Sequence, residues 1–87
     1  VHQKFSGKFR EFQTTLMERS VLDKKTKELL MLALASVFRC RYCTEAHIKG
    51  ALEQAQLEEV AEALLTAALE AAGTQLYWAK DIYEKYF

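Results

Sequence analysis

The sequence predicts an all-α protein, and three observations lead there. The 87 residues include no proline and only three glycines. Alanine, leucine, glutamate and lysine, all good helix formers, dominate the chain. No stretch alternates apolar and polar residues as a half-buried strand does, whereas apolar residues recur three and four positions apart throughout.

The first helix is predicted over residues 3–19, where Phe5, Phe9, Phe12 and Leu16 form one apolar stripe. Asp23 is placed to cap a second helix over residues 24–38, its carboxylate accepting from an amide left open in the first turn. From Leu29 to Phe38 that helix is apolar on nearly every side. Such a helix is buried on several sides, so it should be the central element of the subunit or of an oligomer. A break is expected over residues 39–42, then a third helix over residues 43–54. Its apolar face is short, comprising Ala46, Ile48, Ala51, Leu52 and Ala55. Gly50 inside it costs about 1 kcal/mol relative to alanine, a cost that a close helix crossing can offset.

Leu57-Glu58-Glu59 opens a fourth helix, with two acids in the first turn to complement the helix dipole. Val60, Ala61, Leu64, Leu65, Ala68, Leu69 and Ala72 are its expected buried face, and Gly73 its expected C-cap. A last helix should cover residues 74–86. Its Leu76, Tyr77, Trp78, Ile82, Tyr83 and Tyr86, with Phe87, are more apolar than a lone small subunit hides with ease. They are read either as a subunit interface or as a face packed on the phenylalanines of the first helix.

The length allows one domain, residues 1–87. A domain of this size buries about 60–65% of its unfolded surface, and small cores of this kind are often completed by a partner subunit. Twelve basic and twelve acidic residues balance to zero charge, which argues against a nucleic-acid-binding protein. The two cysteines are too close together to staple a secreted scaffold. No signal-peptide pattern opens the chain. The longest apolar run, residues 29–35, is far too short to span a bilayer. The expectation is a soluble, cytoplasmic protein with neither membrane nor nucleic acid among its partners.

The chemistry-bearing motif is Cys40-Arg41-Tyr42-Cys43, with His47 four positions further on. On a helix, His47 falls one turn from Cys43 on the same face. An imidazole there can take a thiol's proton, the thiolate is the reactive form, and a second thiol can close a disulfide. Arg39 and Arg41 favour a thiolate electrostatically. Zinc is a weaker reading. Cys40, Cys43 and His47, with His2 as a remote fourth, lack the second ligand pair that structural zinc sites show. Haem attachment needs histidine directly after the second cysteine, where Thr44 stands. A thioredoxin-like fold needs a strand before the pair, where a long helix is expected. The plain alternative is two inert, buried cysteines. Glu28, at the edge of the most apolar stretch, is either a solvated carboxylate or a group holding His47. Twelve residues of straight helix set it about 18 Å from Cys40. The third helix must therefore fold back, or the second bend, or a neighbouring subunit contribute.

The arrangement of Glu28, Cys40-Arg41-Tyr42-Cys43 and His47 resembles the alkylhydroperoxidase AhpD-like group of the carboxymuconolactone decarboxylase family. Ala46-His47-Ile48-Lys49-Gly50-Ala51, Glu58-Glu59-Val60-Ala61-Glu62-Ala63-Leu64 and Ala71-Ala72-Gly73 extend the likeness over residues 22–79. The resemblance implies an all-α bundle of about five helices, completed by assembly into homo-oligomers, trimers or hexamers. It implies a peroxide-reducing, antioxidant enzyme in which Cys43 attacks the peroxide, Cys40 resolves the product as a disulfide, and His47 with Glu28 relays the proton. It also implies a small hydroperoxide substrate, an external dithiol or lipoyl-type reductant, and no cofactor. Some redox members carry a histidine between the two cysteines, where this chain has Tyr42. The helical spacing points the same way on one detail, since His47 lies one turn from Cys43. Three other readings stand beside it: a general thiol–disulfide oxidoreductase, a lactone-processing decarboxylase, whose chemistry needs no dithiol, and a non-catalytic oligomeric partner protein.

Overall fold

The computed structural model describes residues 2–87, and they form five helices in series. These are α1 (Gln3–Glu18), α2 (Lys24–Val37), α3 (Arg41–Leu52), α4 (Leu57–Tyr77) and α5 (Lys80–Tyr86). All described residues outside them are caps, turns or connections, so the all-α expectation holds.

The helix starts follow capping chemistry. The Asp23 carboxylate accepts from the Thr26 amide at 2.7 Å and opens α2 as expected. Hydrogen bonds from Thr26, from its side chain first and then its amide, hold the Asp23 carboxyl below its ordinary pKa. At the start of α4 the Gln56 amide donates to Glu59 at 2.8 Å. That bond first, and then the Lys25 ammonium, keep the Glu59 carboxyl low as well. The Lys25–Glu59 ion pair also ties α2 to α4.

The core lies where α2, α3 and α4 meet. Leu32 is fully buried there, with Ala51, Ala55 and Val60 around it and Leu29, Ile48 and Leu64 packed against them. The small residues on α3 let that helix lie close to α2. The central position expected for α2 is observed, but one side of it is uncovered, with Leu30, Leu34, Val37 and Phe38 exposed.

Several expectations are corrected. Helix α3 begins at Arg41 rather than at residue 43, because Cys40 caps it. Gly73 does not end a helix. It carries no positive φ, and α4 runs through it to Tyr77. The abundant Ala and Leu around it sustain the helix against the cost of one glycine. The buried face of α4 is Val60, Leu64 and Ala67, while Leu65 and Leu69 are 70% and 73% exposed. Apolar residues surround most of α4, so the periodicity alone does not choose which side meets α2. Leu52 and Ala46 of α3, expected on its buried face, are also exposed, and Ala51 and Ile48 meet the core instead. The aromatic residues of the last helix do not cover those of the first. Phe5, Phe9 and Phe12 are exposed, and so are Trp78, Tyr86 and Phe87.

Helix α1 buries no residue of its own. Its C-terminal end is held by Lys27 of α2, whose ammonium donates to the carbonyl of Leu16 at 2.8 Å and to that of Arg19. Lys27 is itself buried. A cation suits that place, because the carbonyl end of a helix carries partial negative charge. Among the described residues no helix is long and apolar enough to cross a membrane.

Candidate functional site

The site is built by the turn between α2 and α3. Arg39 has φ 62°. Behind it the Arg39 amide donates to Ser36 at 3.3 Å and the Cys40 amide to Ala35 at 3.0 Å. This is the left-handed helix stop usually made with glycine, and it reverses the chain sharply. Cys40 follows in extended conformation as the N-cap of α3. Its sulfur accepts from the Cys43 amide at 3.2 Å, and its carbonyl accepts from the Thr44 hydroxyl at 2.8 Å.

Cys40 and Cys43 are joined as a disulfide, their α-carbons 5.2 Å apart. One turn further along α3 comes His47, on the face that carries Cys43. The reversal at Arg39 sends α3 back along α2. It is His47, on the returning helix of the same chain, that reaches Glu28, while Cys40 stays at the far end of α2. His47 Nδ1 lies 3.0 Å from Glu28 Oε2. A carboxylate can only accept, so Nδ1 carries the hydrogen and Nε2 is left as the base. Glu28 is 9% exposed. It is therefore a buried carboxylate holding an imidazole, and the solvated alternative does not apply.

Gly50, one turn beyond His47 on α3, makes room for this pair. A β-carbon there would fall 2.7 Å from Glu28 Oε2 and 2.9 Å from Oε1. The expected close crossing at Gly50 is real, and what approaches is the Glu28 carboxylate. Sequence reasoning found the glycine but not its partner. It also missed the structural part of Thr44 and the left-handed Arg39, neither of which carries a pattern.

Beside the disulfide lies an open cleft of about 480 Å³. Cys40 lines it, with Ser36, Arg39, Arg41, Tyr42, Thr44, Glu45 and Ile48. Two guanidinium groups at its rim favour negative charge on an incoming group or on sulfur. His2, weighed above as a distant metal ligand, caps α1 instead, its Nδ1 accepting from the Lys4 amide at 3.2 Å. No group of three or more His, Cys, Asp or Glu suited to a metal ion occurs among the described residues.

Such a site can do dithiol–disulfide chemistry. The helix N-terminus and an amide N–H stabilise negative charge on the Cys40 sulfur. The imidazole one turn from Cys43 can take or return a proton there. The carboxylate fixes the ring's tautomer.

The family model described as "Carboxymuconolactone decarboxylase family" matches residues 3–84. The chain is also similar to "Uncharacterized protein 4 in cox locus" of Paracoccus denitrificans, with 47% identity over 53 residues. That alignment covers 60% of this chain and 48% of the relative, so the chain spans about half the length of the curated protein it matches. No solved structure matches it.

Proposed function

The chain belongs to the carboxymuconolactone decarboxylase family, and from that premise we propose that it is a redox enzyme cycling Cys40 and Cys43 between dithiol and disulfide, with a small hydroperoxide as oxidant. The observation that carries this reading is the bonded Cys40–Cys43 pair at the start of α3, with the Glu28-held imidazole one turn along.

In the oxidative half, His47 takes the Cys43 proton and the thiolate attacks the terminal peroxide oxygen. The O–O bond breaks, Cys43 becomes a sulfenic acid, and the departing alkoxide takes the proton from His47 to leave as alcohol. The Cys40 thiolate, stabilised at the N-cap, then attacks the Cys43 sulfur. The S–S bond forms and hydroxide leaves, protonated to water. In the reductive half, an external dithiol attacks Cys40 from the cleft and expels Cys43 as a thiolate. The second thiol of the reductant then releases Cys40, so that the reductant leaves as its own disulfide.

A second reading keeps the dithiol and dispenses with the peroxide. Cys40 lines the open cleft, as general thiol–disulfide exchange with a partner would require. A decarboxylase acting on a lactone is the remaining alternative, and it would survive loss of both cysteines.

Intact-mass measurement on the reduced chain decides among them. One equivalent of hydroperoxide should remove two hydrogens, and a dithiol should restore them. Cys40→Ser should stop at a sulfenic acid on Cys43, and Cys43→Ser should not react. A dithiol untouched by hydroperoxide but oxidised by a disulfide would leave only the second reading.

A further inference from the structure

The cleft beside the disulfide meets the two sulfurs unequally. Cys40 lines it and Cys43 does not. Arg39 and Arg41, the residues on either side of Cys40, line it as well. Among the described residues neither guanidinium belongs to an ion pair. The one acid at the cleft, Glu45, carries its own counter-ion, since Lys49 lies 3.5 Å from it one turn along α3. Two positive charges without partners therefore flank the sulfur that a visitor to the cleft reaches.

The backbone adds a second observation. Arg39 has φ 62°, in the left-handed region where a side chain is disfavoured and glycine is the usual occupant. The end of α2 is closed there by the amides of Phe38, Arg39 and Cys40, which donate to Leu34, Ser36 and Ala35. The reversal thus uses the backbone of Arg39 and needs no side chain from it. A guanidinium stands where glycine would serve the fold better, and residues held in such regions gather at functional sites.

Size and shape narrow the visitor. A volume of about 480 Å³ lies in the range of small-molecule sites. A guanidinium matches a carboxylate as one planar, two-pronged group matches another. Tyr42, 84% exposed, adds a ring against which a short carbon chain can lie.

Building on the disulfide-cycling reading, we propose that the cleft selects the reductant as a small thiol bearing a carboxylate, which Arg39 and Arg41 bind while the sulfur meets Cys40. The thiolate attacks Cys40 Sγ, the Cys40–Cys43 bond breaks, and Cys43 leaves as a thiolate. A second thiol attacks the reductant's sulfur in the mixed disulfide and releases Cys40. The two thiol protons end on Cys40 and Cys43, and the reductant leaves as its own disulfide. Selection belongs to this half of the cycle, because the hydroperoxide reacts at Cys43.

The test mixes the oxidised chain with mercaptoacetate or with mercaptoacetamide, which differ in the carboxylate, and follows the return of two hydrogens by intact mass. Rates are scaled to the thiolate fraction of each reagent. At low ionic strength mercaptoacetate should reduce the wild type about fivefold faster or more, and added salt should erode that preference. Arg39→Gly suits the local backbone, and Arg41→Gln keeps a good helix former at an exposed position. Each should cut the preference, and the double variant should bring the two rates within about twofold of each other. Equal rates in the wild type overturn the proposal, as does a preference that survives intact in the double variant. A reduced chain that hydroperoxide does not reoxidise overturns the peroxide reading instead, while the ratio of the two reduction rates still decides the selection.

Discussion

The carboxylate of Glu28 rests against the bare α-carbon of Gly50, in the space a β-carbon would need. The same carboxylate holds His47 at 3.0 Å, so the two contacts compete for one position. Gly50→Ala should push the carboxylate off the imidazole. The change in stability should be small, since about 1 kcal/mol of helix propensity is gained while a hydrogen bond of about 1–3 kcal/mol is disturbed. Oxidation of the dithiol by hydroperoxide should nevertheless slow by roughly tenfold or more. Stopped-flow oxidation beside urea denaturation separates the two effects.

Glu28→Gln keeps the shape of the side chain and removes its charge. The imidazolium formed on proton transfer then loses its counter-ion. Hydroperoxide turnover should fall roughly 10–100-fold. His47→Ala should fall further, and its Cys43 should titrate near the ordinary thiol value of about 8.5. The pH profile of Cys43 alkylation in reduced Cys40→Ser, with and without each change, is the measurement. Identical profiles would remove His47 and Glu28 from the proton path.

Gly73 is the counterpart of Gly50. It lies inside α4 with no positive φ, and a β-carbon there meets nothing within 4 Å. Gly73→Ala should therefore stabilise the fold by about 1 kcal/mol, visible as a higher urea midpoint with unchanged slope. A loss of stability would mean that some other contact covers this part of α4.

The helix caps give the fold a dependence on acid. The carboxyls of Asp23 and Glu59 are held below their ordinary values of 3.8 and 4.5. Their contribution is fully present above those ordinary values and is lost as pH falls through the lowered ones. Asp23→Ala should be less stable than wild type at neutral pH, and the two stabilities should converge as the solution is acidified below about pH 4. Thermal melts from pH 7 to pH 2 would show it. A constant difference across that range would assign the loss to something other than the carboxylate.

Local chemistry was readable from the sequence, and orientation was not. The Asp23 cap and the Glu58-Glu59 opening of α4 each depend on a few neighbouring residues. The spacing of Cys43 and His47 likewise needs only the rise of one helix. The meeting of Glu28 with His47 depends on a chain reversal, and that reversal rests on Arg39 in a backbone region where glycine is the usual occupant. No residue type announced it. The side of α4 that faces α2 was equally hidden, because Leu64 and Leu65 read alike until a partner helix selects one of them.

Lys27 and Glu28 are consecutive buried residues of opposite charge, and their side chains serve different masters. The ammonium grips the last carbonyls of the first helix, while the carboxylate steadies the ring beside the sulfurs. The first helix, which buries no residue of its own, is thus held at its C-terminal end by the residue directly before the one that orients His47.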